Sequence, residues 1–179
     1  MGHIHTPPPA LVVLSAFSRY TEALTWAREQ ATRHWGPIAL ESPVYDFLET
    51  TYYEPTMGAG LQKVFYAFEQ LRDPAELPEI KIETNAWEEA YAALGLHTEP
   101  RPLNLDPGYL TLGKLVLAST KDHSHRVYLR RGIYGEVTLH YRDNAWRQGH
   151  WTFPDYRRED YHQFFSSCRD YLRARGRTL

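Results

Sequence analysis

A chain of 179 residues, 42% of them hydrophobic, is the size of one domain with its own core and too short for separate cofactor and substrate lobes. Its 20 Lys and Arg against 22 Asp and Glu give a net charge of −2, which excludes a histone-like polycation and an acidic disordered tail. A single cysteine, Cys168, excludes an internal disulfide framework and a Cys-based zinc finger; with no apolar run near the ~20 residues of a membrane span and no signal-peptide plan, a soluble cytoplasmic protein without membrane contact is expected.

Residues 1–10 hold three consecutive prolines, which favour extended geometry and lack N–H donors, and read as a tether before a single domain spanning 11–179. Residues 11–17 are an unbroken apolar run, the pattern of a strand covered on both faces. Ser18 or Thr21 supplies a cap for a helix on which Ala23, Leu24, Ala27, Ala31 and Trp35 recur, until Gly36-Pro37 stops it. Residues 38–47 and 63–71 read as strands, joined by a long Tyr-rich connection, 48–62, of the kind that closes over a site or packs as an ordinary loop.

Asp73-Pro74 with Glu76 is a helix start, and we expect helix across 74–94 with a break or kink at Pro78. The alternative is an extended 79–84 ahead of a helix from 86 to 94, in which case Lys81, Glu83 and Asn85 would share a face able to line a polyphosphate tunnel. A strand is expected over 101–105. Helix is expected over 108–119, where Leu112, Leu115, Val116 and Ser119 recur at helical spacing. Strands follow at 126–129 and 133–141 around Arg130-Arg131-Gly132, and Asp143-Asn144 marks another turn. A last helix, 156–175, places Tyr161, Phe164, Phe165, Cys168 and Leu172 on one face, with Arg173, Arg175 and Arg177 suited to its negative C-terminal dipole. The order strand, helix, strand, strand, helix, strand predicts an α+β fold with a ferredoxin-like (βαββαβ) core, extended by a C-terminal hairpin and helix.

P-loop, GxGxxG, HExxH, GxSxG and EF-hand patterns are missing, and no cofactor is implied. The charges are strongly segregated. Residues 114–131 hold five cations and one acid, whereas 69–89 hold seven acids and two bases. Lys114, Lys121, Arg126 and Arg130, interleaved with Tyr134 and histidines, are candidates to hold phosphate in a nucleotide or nucleic-acid ligand; the same charges also suit a solvated face. His123 and His125 are candidates to move a proton, and Glu136, on a strand face shared with Tyr134, Thr138 and His140, to orient the base or an arginine. A metal reading of His123 and His125, completed by Glu136, His140 or Asp106, is disfavoured by the neighbouring cations.

The segments PPPALVVLSAFS, GPIALES, TTYYEPTMGAGL, FEQLRDP, IKIETNAWE, NLDPGYLTLGKLVLASTKDHSHRVYLRRGIYGEVTLHY and WTFPDY, in this order, resemble a bacterial and archaeal family catalogued as domain of unknown function 4416. The resemblance covers nearly the whole chain and implies a single-domain protein of this size, without pointing to a ligand. Three functions follow from the residues themselves. The first is a phosphate-ligand-binding protein, with or without catalysis. The second is an interaction module whose acidic and basic halves pair in a homo-oligomer or with a partner, and the third is a metal-assisted hydrolase.

Overall fold

The computed structural model describes residues 2–176. Residues 2–9 are exposed and carry no helix or strand; the chain enters the fold at β1 (Ala10–Ser18), buried at every position. In α1 (Thr21–Trp35) the five predicted apolar residues are buried, and Gly36, at φ +87°, ends it. Neither Ser18 nor Thr21 caps this helix. The Ser18 hydroxyl instead accepts from the Tyr20 N–H (2.9 Å) and donates to the Pro102 carbonyl (2.6 Å).

Residues 38–47 form two short pieces, β2 (Ile38–Glu41) and β3 (Tyr45–Asp46), both paired with β4 (Gln62–Arg72). Pro43 lies between them and has no N–H with which to continue a ladder. A single turn, α2 (Glu54–Met57), sits in the Tyr-rich connection. The Asp73 side chain accepts from the Ala75 N–H (2.9 Å) and Glu76 returns a bond to the Asp73 N–H (3.3 Å), ahead of α3 (Leu77–Ala93). Pro78 falls in the first turn of α3, where a missing N–H costs nothing, so the expected break is absent. Lys81, Glu83 and Asn85 therefore do not alternate along a strand, and Glu83 accepts from the Trp35 indole (2.8 Å) instead.

Residues 108–119 are not helical. They form the end of β5 (Asn104–Leu110), a tight turn in which the Thr111 N–H donates to the Lys114 carbonyl (2.9 Å), and β6 (Lys114–Ser119). Leu115 and Leu117 enter one core while Val116 and Ala118 enter another, and a strand buried on both faces loses the alternation that separates it from a helix. Leu112, which completed the helical pattern, is exposed in the turn. The predicted strand at 101–105 accordingly starts later and runs longer, as β5.

After β7 (Val127–Arg130), β8 (Ile133–Arg142) and β9 (Ala145–Gln148) come a turn of 3-10 helix at residues 154–157 and α4 (Glu159–Gly176). The turns Arg131-Gly132 and Asp143-Asn144 have positive φ throughout, as two-residue hairpins of this twist require. The predicted apolar face of α4 is buried. Burial pushes the Cys168 thiol up, so it is an inert core group, while Arg177 lies outside the described residues.

The described residues form a mixed α and β domain with a nine-stranded antiparallel sheet in the order β2-β4-β1-β5-β6-β8-β7, with β3 joined to β4 and β9 to β8. Helices α1 and α3 pack on Val12, Leu14, Ala16, Val64, Tyr66 and Phe68. Helix α4 packs on the opposite face, against Leu11, Val13, Phe65, Ala67, Leu110, Leu115 and Leu139. No described helix is long and apolar enough to cross a membrane.

Candidate functional site

The sheet is not continuous. Strands β5 and β6 pair only at Gly108↔Leu117, Tyr109↔Val116 and Leu110↔Leu115, then diverge. Hydrogen-bonded pairs alternate along an antiparallel ladder. Because Thr111 and Lys114 are bonded, Tyr109 and Val116 are bonded next, and Pro107 would face Ala118 after them. Pro107 has no N–H to give, so the ladder ends there. Gly108 permits the last close pairing, since a Cβ on it would lie 2.4 Å from the Val116 carbonyl oxygen.

Beyond the split, α3 side chains take the orphaned backbone of β5. Glu88 accepts from the Leu105 N–H (2.7 Å), and the Lys81 ammonium donates to the Leu105 carbonyl (2.8 Å) and to Asp106 (3.2 Å). Asn104 donates to the other Asp106 oxygen (2.8 Å), and Arg101 reaches Glu88 (3.1 Å) and Asn104. Burial alone would raise the Asp106 carboxyl, but Lys81 and Lys63 hold it below the ordinary range; burial wins at Glu88 and raises it.

The split opens into a cleft of about 730 Å³ on the face that α4 leaves uncovered. Lys63, on the same side of β4 as Phe65, bonds Asp155 at 2.6 Å and lies between 4.7 and 5.6 Å from the ring centres of Phe17, Phe47, Phe65 and Tyr156. Across the cleft, Glu136 faces α4 because a register shift between Leu115 and Val116 makes Thr138 an extra residue of β8. That bulge also defeats the expected common face of Glu136, Thr138 and His140: Glu136 and Thr138 are buried and bonded (3.1 Å), whereas His140 is exposed.

The connection from β6 to β7 supplies the mouth. Arg126 gives its Nε to Glu136 (2.7 Å) and one terminal nitrogen to the Ser119 hydroxyl (2.6 Å) and the Lys121 carbonyl (3.0 Å). Its guanidinium is thus an internal brace for the loop. The Lys121 ammonium donates to the Tyr52 hydroxyl (3.0 Å) and lies 4.8 Å from that ring's centre, and this bond lowers the Tyr52 pKa. The basic loop and the Tyr-rich connection therefore meet in space. Below Tyr52, Tyr53 packs on Phe17 and Phe47, and Met57 is fully buried, so this connection is a packed wall.

Of the residues singled out in the sequence, Lys121, His123, Arg126 and Glu136 line the cleft. His125 sits behind it, 3.2 Å from Glu136 and stacked on Trp151. Lys114 lies at the other end of β6 opposite His140, Arg130 bonds Glu79 and the Ala75 carbonyl, and Tyr134 packs on Tyr128; these three do not join the cleft. Lys63, Asp155, Glu88, Arg101 and Asn104 were missed as site residues. Lys63 did carry a signal, a cation at the same parity as Phe65 and Ala67 on an apolar strand face.

Among the described residues no group of three or more His, Cys, Asp or Glu side chains is arranged to hold a metal ion. His123 and His125 lie ring beside ring, 5.8 Å apart, and only His125 reaches Glu136. Lys63, Lys81, Arg101 and Arg126 are each paired with a carboxylate, whereas Lys121 has a hydroxyl partner and no ion pair among the described residues. The cleft can therefore bind a polar ligand through fixed internal dipoles and offer it free positive charge at the mouth. No curated protein and no solved structure matches the chain. A family model described as Domain of unknown function (DUF4416) matches residues 8–171, and the chain belongs to that family.

Proposed function

We propose that the cleft binds a phosphate-containing ligand, a nucleotide or the end of a nucleic acid, with the phosphate held at the mouth by Lys121 and His123. The observation that carries this reading is Lys121: its charge has no carboxylate to neutralise it and stands over a 730 Å³ cleft with aromatic side chains on its wall. Where the ligand is also acted upon, His123 is the group placed to move a proton, while Arg126 and Glu136 hold the loop that presents it. Nucleotides and short RNA or DNA should raise the melting temperature, with a response that fades as salt is added. Lys121→Ala should weaken binding and flatten its salt dependence without lowering stability; binding indifferent to both would sink the reading.

The interaction module is the second reading, and exposed Val127 and Tyr128 on the edge strand β7 favour it. The segregated charges lend it less, because Arg130 and Arg131 both meet Glu79 within the chain. Salt-dependent self-association with no ligand response would favour this reading. Within the sheet we read β1, α1, β2, β4, α3 and β5 as a ferredoxin-like unit to which β6–β9 and α4 are added, supported by the spatial order β2-β4-β1-β5.

A further inference from the structure

We infer that the split between β5 and β6 is a nucleobase site, in which the backbone N–H and C=O of Ala118 hydrogen-bond the edge of a planar heterocycle. This rests on the phosphate-ligand reading and names the other half of that ligand. The argument begins with direction. Leu105 sends both its N–H and its C=O toward the split, where Glu88 and Lys81 meet them. Residues two apart in a strand point the same way, so Pro107, Tyr109 and Thr111 face β6, as the Thr111–Lys114 bond confirms. Ala118, opposite Pro107 in the same register, points its N–H and C=O back toward β5 and finds no donor there and no paired residue.

Ala118 nevertheless lines the cleft. Its methyl group is packed with Leu77, Val116 and Ile133 on the other side of the sheet, so what it presents to the cleft is backbone. One donor and one acceptor, side by side and aimed the same way, match the adjacent acceptor and donor that every nucleobase carries on its pairing edge. Buried backbone groups of this kind are satisfied in nearly all proteins, and at Leu105 this chain satisfies them with two side chains. At Ala118 it supplies none. Tyr52, Tyr53 and Phe153 line the same cleft and offer ring faces for stacking, while Lys121 at the mouth takes the phosphate.

The test is calorimetric titration of the full chain with the four nucleoside monophosphates, ribose phosphate, adenosine and tripolyphosphate. At least one nucleotide should bind about tenfold or more tightly than ribose phosphate, which shares its sugar and phosphate and lacks only the base. Nucleotides no tighter than ribose phosphate, or tripolyphosphate as tight as ATP, would overturn the base site and leave the phosphate reading standing. Adenosine as tight as AMP would do the reverse. Pro107→Ala then assigns the effect: it restores an N–H opposite Ala118 and lets the ladder extend across the split. The preference for nucleotide over ribose phosphate should fall toward unity while ribose phosphate still binds; an unchanged preference would overturn the assignment to Ala118.

Discussion

Along the sheet face that meets α4, one half is core and the other is cleft, and the same strands build both. Strand β1 presents Leu11 and Val13 and then Ser15; β4 presents Ala67 and Phe65 and then Lys63; β5 presents Leu110 and then Asp106; β8 presents Leu139 and then Glu136. The change takes two or three residues in each strand and falls at one level of the sheet. Burying apolar surface stabilises the first half at roughly 25 cal/mol per Å². The second half gains little in this way, because a buried ion pair such as Lys63–Asp155 is worth no more to stability than well-packed apolar residues of the same volume. Stability accounts for the apolar half alone. The polar half is what a ligand would use.

The sharpest way to break the contrast is to remove one partner of the buried pair. Lys63→Met leaves the Asp155 carboxylate uncompensated and should cost about 3–5 kcal/mol in urea denaturation. Lys63→Met combined with Asp155→Leu should recover most of that loss, because the penalty belongs to the stranded charge. A double variant no more stable than the single one would mean that the pair itself contributes net stability. In the apolar half, Leu139→Ala should cost about 2–5 kcal/mol, with the size set by how far Trp146 and Phe165 relax into the space. No single second change should rescue it, since a cavity has no charge to neutralise.

The two halves also differed in how far they could be read from the sequence. The apolar half was legible: the run at 11–17, the α1 face ending at Trp35 and the α4 face from Tyr161 to Leu172 are each a periodic pattern of one residue class. The polar half was legible only where its charges cluster locally, at Lys121, His123, Arg126 and Glu136. Its remaining members come from four separated segments and meet through pairing registers that sequence does not specify; Lys63 and Asp155 are 92 positions apart. The misread segment, 108–119, hid the site as well. Taken as a helix, it leaves Pro107 an ordinary helix-start proline; taken as a hairpin, Pro107 becomes the residue that opens the sheet.

The smallest effect we expect separates two acids within the cleft itself. Asp106 is held below its ordinary range by Lys81 and Lys63 against the opposing effect of burial, so its folded form binds a proton less readily than its unfolded form. Its contribution to stability is therefore fully present above the ordinary aspartate pKa and is lost as pH falls through the lower folded value. Glu88 is raised by burial, which outweighs Lys81, Arg101 and the Leu105 N–H. Its folded form binds a proton more readily, so the stability linked to it declines as pH rises from the ordinary glutamate value through the folded one. Each amide substitution removes the titration and keeps most of the shape. Between about pH 3 and pH 7, the cost of Asp106→Asn relative to the natural chain should grow with pH, and that of Glu88→Gln should shrink. Opposite slopes in urea denaturation would place desolvation in command at the α3 side of the split and cation pairing in command at the β5 side. Slopes of the same sign would mean that the two carboxylates share one environment, and that the cations are not distributed between them as the geometry requires.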